Sequence, residues 1–504
     1  MSKIRNTAQL LKDGCFLLEY AARAYPSEPA LISGGVIVDY SAYLRLVNKT
    51  ADVLKGKGVH NEYKLAVLSN PSIEYTVLLM AILRSGIVAV PVSTRLPREA
   101  VITHLVSINC DTLIVSKEFS NIKTKSAVAA HPIEEFVSAY KELDGSDKAR
   151  CNSKVIPVQL PFERDATIFF TSGSSGMPKA VLHMYANHIY SALGANENIL
   201  FEPGDRWLLS LPLYHIGGFA VLIRAALGGG AVVITSQKMN LASALEEYAA
   251  THVSLVSTQL CRLLENEKAV EILKKMKAIV LGGGFFSPSL IKKALEYNLP
   301  IVTSYGSTET ASQVTATGVY EKSDKYFTAG RPLPYREVSV SPDGEILVRG
   351  KTLCKGYVKD STVVSPSDKD GWFHTGDLGY FDSDGYLIVT GRKDLMFISG
   401  GENIYPEAIE SVLNEYPGIK NAIVIPVPDE EFSARPAAFV QLETDKPLNS
   451  ESISAFLSKR IPSFMIPDFF WRMPEELCRQ SVLKYDRTYF IRLAREYLSN
   501  LHLQ

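Results

Sequence analysis

The chain has 504 residues, of which 46% are hydrophobic and 21% charged, and a formal net charge of −1 at neutral pH. That length exceeds what one hydrophobic core usually serves and predicts two or more domains. The near-neutral balance excludes an electrostatic case for nucleic acid or a polyanionic surface as partner and points to small-molecule chemistry.

The opening residues, MSKIRNTAQLLKDGCF, lack the apolar core of a secretory signal, and the longest apolar run, Val77 to Leu83, is too short to cross a bilayer. A cytoplasmic chain without a transmembrane segment is expected. Cys15, Cys110, Cys151, Cys261, Cys354 and Cys478 lie far apart, with no C-x-x-C pair and no His at zinc-ligand spacing, so they read as reduced thiols. From about Lys64, short β-branched runs alternate with amphipathic ones: KLAVLS, a helical IEYTVLLMAILRSG, IVAVPV, and later TLIVS, ATIFF, AVVIT, VSLVS, AIVLGGG and PIVTSYG. Such alternation builds parallel sheets with crossover helices, whose ligand sites gather at the carboxyl ends of strands. Beyond Gly330 the pattern turns to hairpins, SPDGEILVRG and FDSDGYLIVTGR, each with a D-G turn between alternating strands. A shorter stretch follows Arg392, with a helix from Pro406, strands at NAIVIPV and AAFVQLE, and a helix from Ser450 to Lys459. The expected fold is α/β. A large N-terminal domain over 1–393 has mixed and parallel sheets with flanking helices and a β-rich subdomain over 330–393; a small, mobile α+β C-terminal domain spans 394–504.

Three segments rich in Gly or hydroxyl residues directly follow predicted strands. In TSGSSGMPKAV, Gly173 and Gly176 let backbone N–H groups converge, Thr171, Ser172, Ser174 and Ser175 add hydroxyl donors, and Lys179 adds a point charge. This suits a polyphosphate, although by itself such a stretch is more often a flexible surface loop. It is not the common P-loop, because Met177 and Pro178 separate the second Gly from the Lys. The second segment is Gly282, Gly283 and Gly284. The third, YGSTET, begins at Tyr305 and Gly306 and sets Ser307 and Thr308, both able to donate to phosphate oxygens, beside Glu309, a hard ligand for Mg²⁺. Farther on, Asp377 sits in a Gly-flanked turn where its carboxylate can accept both hydroxyls of a ribose, and Arg392 ends the next hairpin strand within reach of the same sugar or a phosphate.

TSGSSGMPKAV, YGSTET, WFHTGDLGYFDSDGYLIVTGRKDLMFISGGENIYP and the late Lys of SVLKYDR, in that order, resemble the adenylate-forming superfamily of acyl-CoA synthetases, peptide-synthetase adenylation domains and luciferases. The resemblance implies two steps. A carboxylate attacks the α-phosphate of ATP to give an acyl-adenylate and pyrophosphate, and a thiol then expels AMP. It implies that the loop from Thr171 to Lys179 grips the β- and γ-phosphates, Thr308 touches the α-phosphate, Glu309 holds Mg²⁺, Asp377 holds the ribose, and Gly282 to Gly284 pass near adenine and the acyl group. It further implies Lys484 as the adenylation Lys, Asp394 as the hinge, Gly400 and Gly401 as the wall of the thiol tunnel, and His215 as the gate between acyl and thiol channels. Two positions depart from the family pattern: Ala180 follows the cradle Lys where Gly is usual, and Leu483 precedes Lys484 where Gly is usual, while Arg487 stays in register.

Acid choice falls to the segment after SLPLYHIGGF. Arg224 lies in an apolar helix with Ala220, Val221, Leu227 and Gly228 at its three- and four-residue neighbours. It snorkels to water, pairs with a protein carboxylate from elsewhere, or awaits an anionic ligand. The last option implies an acid with a second carboxylate, and YANHIYSALG, LPLYHIGGFAVLIR, LGGG and SYGSTETASQV resemble family members acting on a dicarboxylic aromatic acid. A peptide-synthetase role is disfavoured, because LSLPLYH offers no acid for an amino group and no carrier-protein serine motif follows Lys484. Coenzyme A is thus the expected thiol beside ATP, Mg²⁺ and a small carboxylic acid, with no nucleic acid partner; a homo-oligomer stays open. The alternatives are a generic aryl- or fatty-acyl-CoA synthetase and an adenylate-binding protein that has lost catalysis.

Overall fold

The computed structural model describes residues 15–59, 63–122, 128–137, 160–171, 179–236, 239–284, 286, 288–359, 362–399, 402–429, 432–443, 447–479 and 486–501. Strand Lys64–Leu68 illustrates how the sequence builds the sheets. Leu65 and Val67 point into one apolar core and Ala66 and Leu68 into another, the period-2 alternation of a strand covered on both faces. It belongs to an eight-stranded sheet, where Val88–Pro91, Lys64–Leu68, Thr112–Val115 and Ala129–Pro132 run parallel to Asp165–Thr171; Lys179–Met184, Gly356–Lys359 and Thr362–Val364 extend the other side antiparallel. A nine-stranded sheet is parallel through Ile301–Ser307, Ala278–Leu281, His252–Leu255, Arg206–Leu208, Ala231–Val233 and Pro29–Ser33, with antiparallel strands at both edges.

Helices fill the space between these sheets. The main core joins Leu65 and Phe169 of one sheet to Trp207, Val280 and Val302 of the other through helices Ile73–Ser85, Tyr185–Asn198 and Ile216–Gly228. The apolar run from Val77 to Leu83 lies within Ile73–Ser85 and is buried throughout, as expected of a helix packed between two layers. Ser72 caps that helix by accepting from the Tyr75 N–H at 3.1 Å. Among the described residues no helix is long and apolar enough to cross a membrane.

The expected hairpins form a four-stranded antiparallel sheet of Arg336–Val340, Glu345–Gly350, Phe373–Phe381 and Leu387–Arg392, in that order. Farther along, helix Pro406–Leu413 packs on strands Ile419–Asp429 and Ser433–Leu442, and Phe469–Arg472 adds a third strand parallel to the second. Helix Ser450–Leu457 ends two residues before the expected Lys459. Arg487 opens the last helix, Arg487–Leu501, and donates to both Glu410 carboxylate oxygens at 2.6 and 2.8 Å and to the Val424 carbonyl at 2.6 Å. The chain just past Lys484 is therefore anchored, although Lys484 itself lies outside the described residues.

Histidines inside the main core make its stability pH-dependent. His183, His188 and His252 are buried, and desolvation holds His183 and His252 down to about 4, with His188 also well below the ordinary value. All three are neutral when folded, whereas the unfolded chain takes up protons as pH falls through about 6.5. Their contribution is complete above pH 6.5 and is lost between 6.5 and about 4, by at most about 3 kcal/mol for a histidine such as His183. Urea midpoints measured from pH 8 to 4 should begin to fall near pH 6.5; a fall confined to pH below 5 would assign the loss to carboxylates instead.

Candidate active site

The carboxyl ends of parallel strands Ala278–Leu281 and Ile301–Ser307 lie side by side, tied by the Ser304 hydroxyl, which donates to the Leu281 carbonyl at 2.9 Å. Gly282, Gly283 and Gly284 leave the first strand there, and Tyr305, Gly306 and Ser307 end the second. The following turn is tightly determined. Ser312 pairs back with Ser307 and Gln313 with Gly306, and a Cβ on Gly306 would lie 1.8 Å from the Ser312 carbonyl oxygen, so only glycine fits. Ala311 (φ 53°) and Ser312 (φ 99°) hold left-handed conformations without being glycine. The Thr310 hydroxyl spans the turn, accepting from the Ser307 N–H at 3.0 Å and lying 3.1 and 3.2 Å from the Ser307 and Ser312 carbonyls.

This turn is joined to the phosphate-type loop through the strand after it. Thr171 and Lys179 are cross-strand partners, so the two ends of the loop meet; Ser172, Gly173, Ser174, Ser175 and Gly176 lie outside the described residues. Ala180 packs its methyl against the core with Ile168 and Leu182, which accounts for its departure from Gly. His183 lies 2.7 Å, through Nε2, from the Thr308 carbonyl, the geometry of a donated bond. Lys179 Nζ stands 5.1 Å from the centroid of the Tyr357 ring, whose hydroxyl donates to Glu309 Oε1 at 3.1 Å. The Glu309 backbone carbonyl accepts from the Cys354 N–H at 2.7 Å, leaving its half-buried carboxylate on the side of the loop's Lys. A single carboxylate of this kind fits Mg²⁺, which takes few protein ligands and fills its shell with phosphate oxygens and water. Thr308 presents a partly exposed hydroxyl beside it.

Asp377 accepts from the Tyr305 hydroxyl at 2.6 Å and from Arg392 Nη1 at 3.0 Å. Burial and the Asp377 carboxylate push the Tyr305 pKa well above the usual value. Arg392 also grips Asp394 with two bonds, Nε to Oδ1 at 2.9 Å and Nη2 to Oδ2 at 3.0 Å, and Asp394 followed by Asp377 raises its pKa. Lys393, between them, is pinned to Asp343 and Glu345 at 2.8 and 3.0 Å. Hairpin Phe397–Ser399/Glu402–Ile404 flanks Gly400 and Gly401, which are outside the described residues.

Helix Ile216–Gly228 links two further positions. His215 is its N-cap, exposed on one side beside the Tyr214 ring; surrounding protein and then Arg95 lower its pKa. Arg224 lies nine residues on, about 14 Å along the axis at 1.5 Å per residue. It is only 3% exposed, so it does not snorkel, and among the described residues no carboxylate pairs with it. Its guanidinium lies 5.4 Å from the Trp207 ring centroid and donates through Nη2 to Gln313 Oε1 at 2.6 Å. Burial alone moves its pKa down to about 10, which leaves the group a cation at neutral pH. Gln313, Tyr357 and His183 were not singled out by sequence; the only signal for Gln313 was its place in SYGSTETASQV.

Gly- and hydroxyl-rich strand ends, a half-buried carboxylate, a partly exposed Asp–Arg pair and an enclosed cation are thus carried by the two large sheets and the elements joined to them. The chain belongs to the AMP-binding enzyme family, which it matches over residues 18–358, and it matches the AMP-binding enzyme C-terminal domain over 408–480. It is an AMP-forming acid–thiol ligase of that family. The 2-succinylbenzoate–CoA ligase of Bacillus licheniformis is 31% identical over 472 residues, covering 92% of this chain and 96% of that protein. The o-succinylbenzoate CoA synthetase of Bacillus subtilis, solved with its acyl-adenylate intermediate, superposes with a TM-score of 0.80 at 28% identity, covering 91% of this chain and 94% of the other. The same Bacillus subtilis enzyme solved with ATP and magnesium ion gives a TM-score of 0.79 at 28% identity, covering 91% and 96%.

Replacing Asp377 by Ala removes the acceptor of the Tyr305 hydroxyl and one acceptor of Arg392 and should weaken ATP binding at least about tenfold, or roughly 1.4 kcal/mol. Tyr305→Phe should cost about threefold, as loss of one hydrogen bond. Isothermal titration with ATP measures both, and unchanged affinity in Asp377→Ala would remove this carboxylate from the nucleotide site.

Proposed function

We propose that this chain is an o-succinylbenzoate:CoA ligase. It adenylates o-succinylbenzoate with ATP and Mg²⁺, then transfers the acyl group to coenzyme A with release of AMP, a step of menaquinone biosynthesis. The observation that carries the reading is Arg224, a cation enclosed in protein with no counter-charge among the described residues. Burying an unpaired charge is expensive unless a ligand supplies the partner. An acid with a second carboxylate supplies it, and the names of the relatives above agree.

The other roles follow the family resemblance. The loop from Thr171 to Lys179, including Ser172, Gly173, Ser174, Ser175 and Gly176, wraps the β- and γ-phosphates. Thr308 donates to the α-phosphate, and Glu309 is the protein ligand of Mg²⁺. Asp377, flanked by Tyr305 and Arg392, takes the ribose hydroxyls, while Gly282, Gly283 and Gly284 give adenine close access to backbone beside Gly306 and Ser307. Mg²⁺ would neutralise phosphate charge; the chain's own residues align the acid with the α-phosphorus and exclude water. A domain over 394–504 turns about Asp394 between half-reactions, bringing Lys484 to the first and Gly400 with Gly401 to the second, with His215 gating the thiol's approach.

Pyrophosphate release and thioester formation should be followed across o-succinylbenzoate, benzoate, cinnamates and fatty acids. The expected result is a strong preference for o-succinylbenzoate that Arg224→Ala lowers at least 100-fold in kcat/KM, about 2.7 kcal/mol. Equal turnover of monocarboxylates, indifferent to Arg224, would keep the ligase chemistry and remove this substrate. Lys484→Ala should retain ATP binding but lose adenylation by at least about 100-fold; a variant as active as the parent would exclude Lys484 from the first step.

A further inference from the structure

Gln313 and Arg224 form a pair whose hydrogen-bonding capacity is, among the described residues, only partly used. Both are buried, at 5% and 3% exposed. Arg224 Nη2 donates to Gln313 Oε1, which fixes the orientation of the amide, since its NH₂ end facing the guanidinium would set donor against donor. Among the described residues Gln313 Nε2 then has no acceptor, and neither does Arg224 Nε. Each orphan nitrogen shares its carbon with one end of the Arg224–Gln313 bond, so the two open N–H groups belong to a single locus.

Native proteins seldom leave such groups buried without a partner. The surroundings hold the pair in place. The Trp207 ring faces the Arg224 guanidinium, and the His252 ring stacks on Trp207 at 5.2 Å and 26°. Arg336 Nε donates to the Gln313 carbonyl at 2.7 Å, while its other nitrogens bind the Pro334 and Ser191 carbonyls. Arg336 is thus satisfied by backbone, adds positive potential, and supplies no acceptor. The Gln313 backbone is the cross-strand partner of Gly306 and stands one strand spacing, roughly 5 Å, from the YGST segment.

We propose that Gln313 is a specificity-determining residue that donates its amide N–H to the distal carboxylate of the acid substrate, completing with Arg224 a two-donor anion site. The proposal rests on the dicarboxylic-acid reading above and adds a second contact to it. A carboxylate seated there accepts from both orphan donors while the activated carboxylate lies toward Thr308. A monocarboxylate leaves both donors empty, and that penalty rejects it.

The test compares o-succinylbenzoate with 4-oxo-4-phenylbutanoate, the same acid without the ring carboxylate, by pyrophosphate release in the full-length enzyme. Gln313→Leu should raise KM for o-succinylbenzoate about 10- to 100-fold. It should leave KM for ATP within about twofold and should hold or raise kcat/KM for 4-oxo-4-phenylbutanoate, a pattern that loss of fold does not give. Gln313→Glu, nearly isosteric, keeps an acceptor for Arg224 but removes the donor and adds repulsion, and should abolish the preference. If both variants keep the parental preference while Arg224→Ala loses it, the Gln313 contact is refuted and the substrate reading stands. If the parent enzyme shows no preference between the two acids, both fall together.

Discussion

The turn joining strands Ile301–Ser307 and Ser312–Ala316 is the constraint on which the rest of the site depends. Four separate features meet there through contacts made by adjacent residues: Tyr305 reaches Asp377, Gly306 pairs with Gln313, Thr308 meets His183, and Glu309 meets Tyr357. Two non-glycine residues in left-handed conformations cost of order 1–3 kcal/mol each, and such strain persists only where surroundings over-determine it. Here the Thr310 hydroxyl bonds and the Ser191 hydroxyl on the Ala311 carbonyl do so. A slip of one residue in this hairpin would move Gln313 to the opposite face and break register with Gly306.

Charge is distributed by the same logic. Around Arg392, in the proposed nucleotide site, opposite charges are already matched: Arg392 lies between Asp377 and Asp394, and Lys393 between Asp343 and Glu345. In the proposed acid site two buried arginines stand together, Arg336 satisfied by carbonyls and Arg224, among the described residues, only partly satisfied. The two cations differ in what their nitrogens touch, and the proposed acid site rests on that difference. Both pKa values are pushed down by burial, to about 9 and about 10, so the shift alone does not distinguish them.

Much of the fold was legible because its signals are local. Strand alternation in KLAVLS, the Ser72 and Gly86 caps around IEYTVLLMAILRS, and the D-G turns at Asp343 and Asp384 each need only a few neighbouring residues. The place of the Gly- and hydroxyl-rich segments at strand ends was legible for the same reason. What escaped was contact at long range. His183 and Thr308 are 125 residues apart, Arg224 and Gln313 are 89 apart, and Glu309 and Tyr357 are 48 apart. Helical neighbours showed that Arg224 lacked a polar companion on its own element, but not that a strand from another part of the chain would bring an amide.

Arg392 has a consequence of its own, because one guanidinium serves two carboxylates on either side of Lys393. A nucleotide that draws Asp377 toward its sugar hydroxyls competes with Arg392 for the same oxygens, and the grip on Asp394 responds. Linkage is reciprocal: whatever free energy nucleotide occupancy adds to or takes from the Arg392–Asp394 clasp, breaking the clasp returns to nucleotide affinity with the same magnitude. Residue 394 would thereby act on nucleotide affinity at a distance, through a guanidinium shared with the carboxylate proposed to hold the sugar.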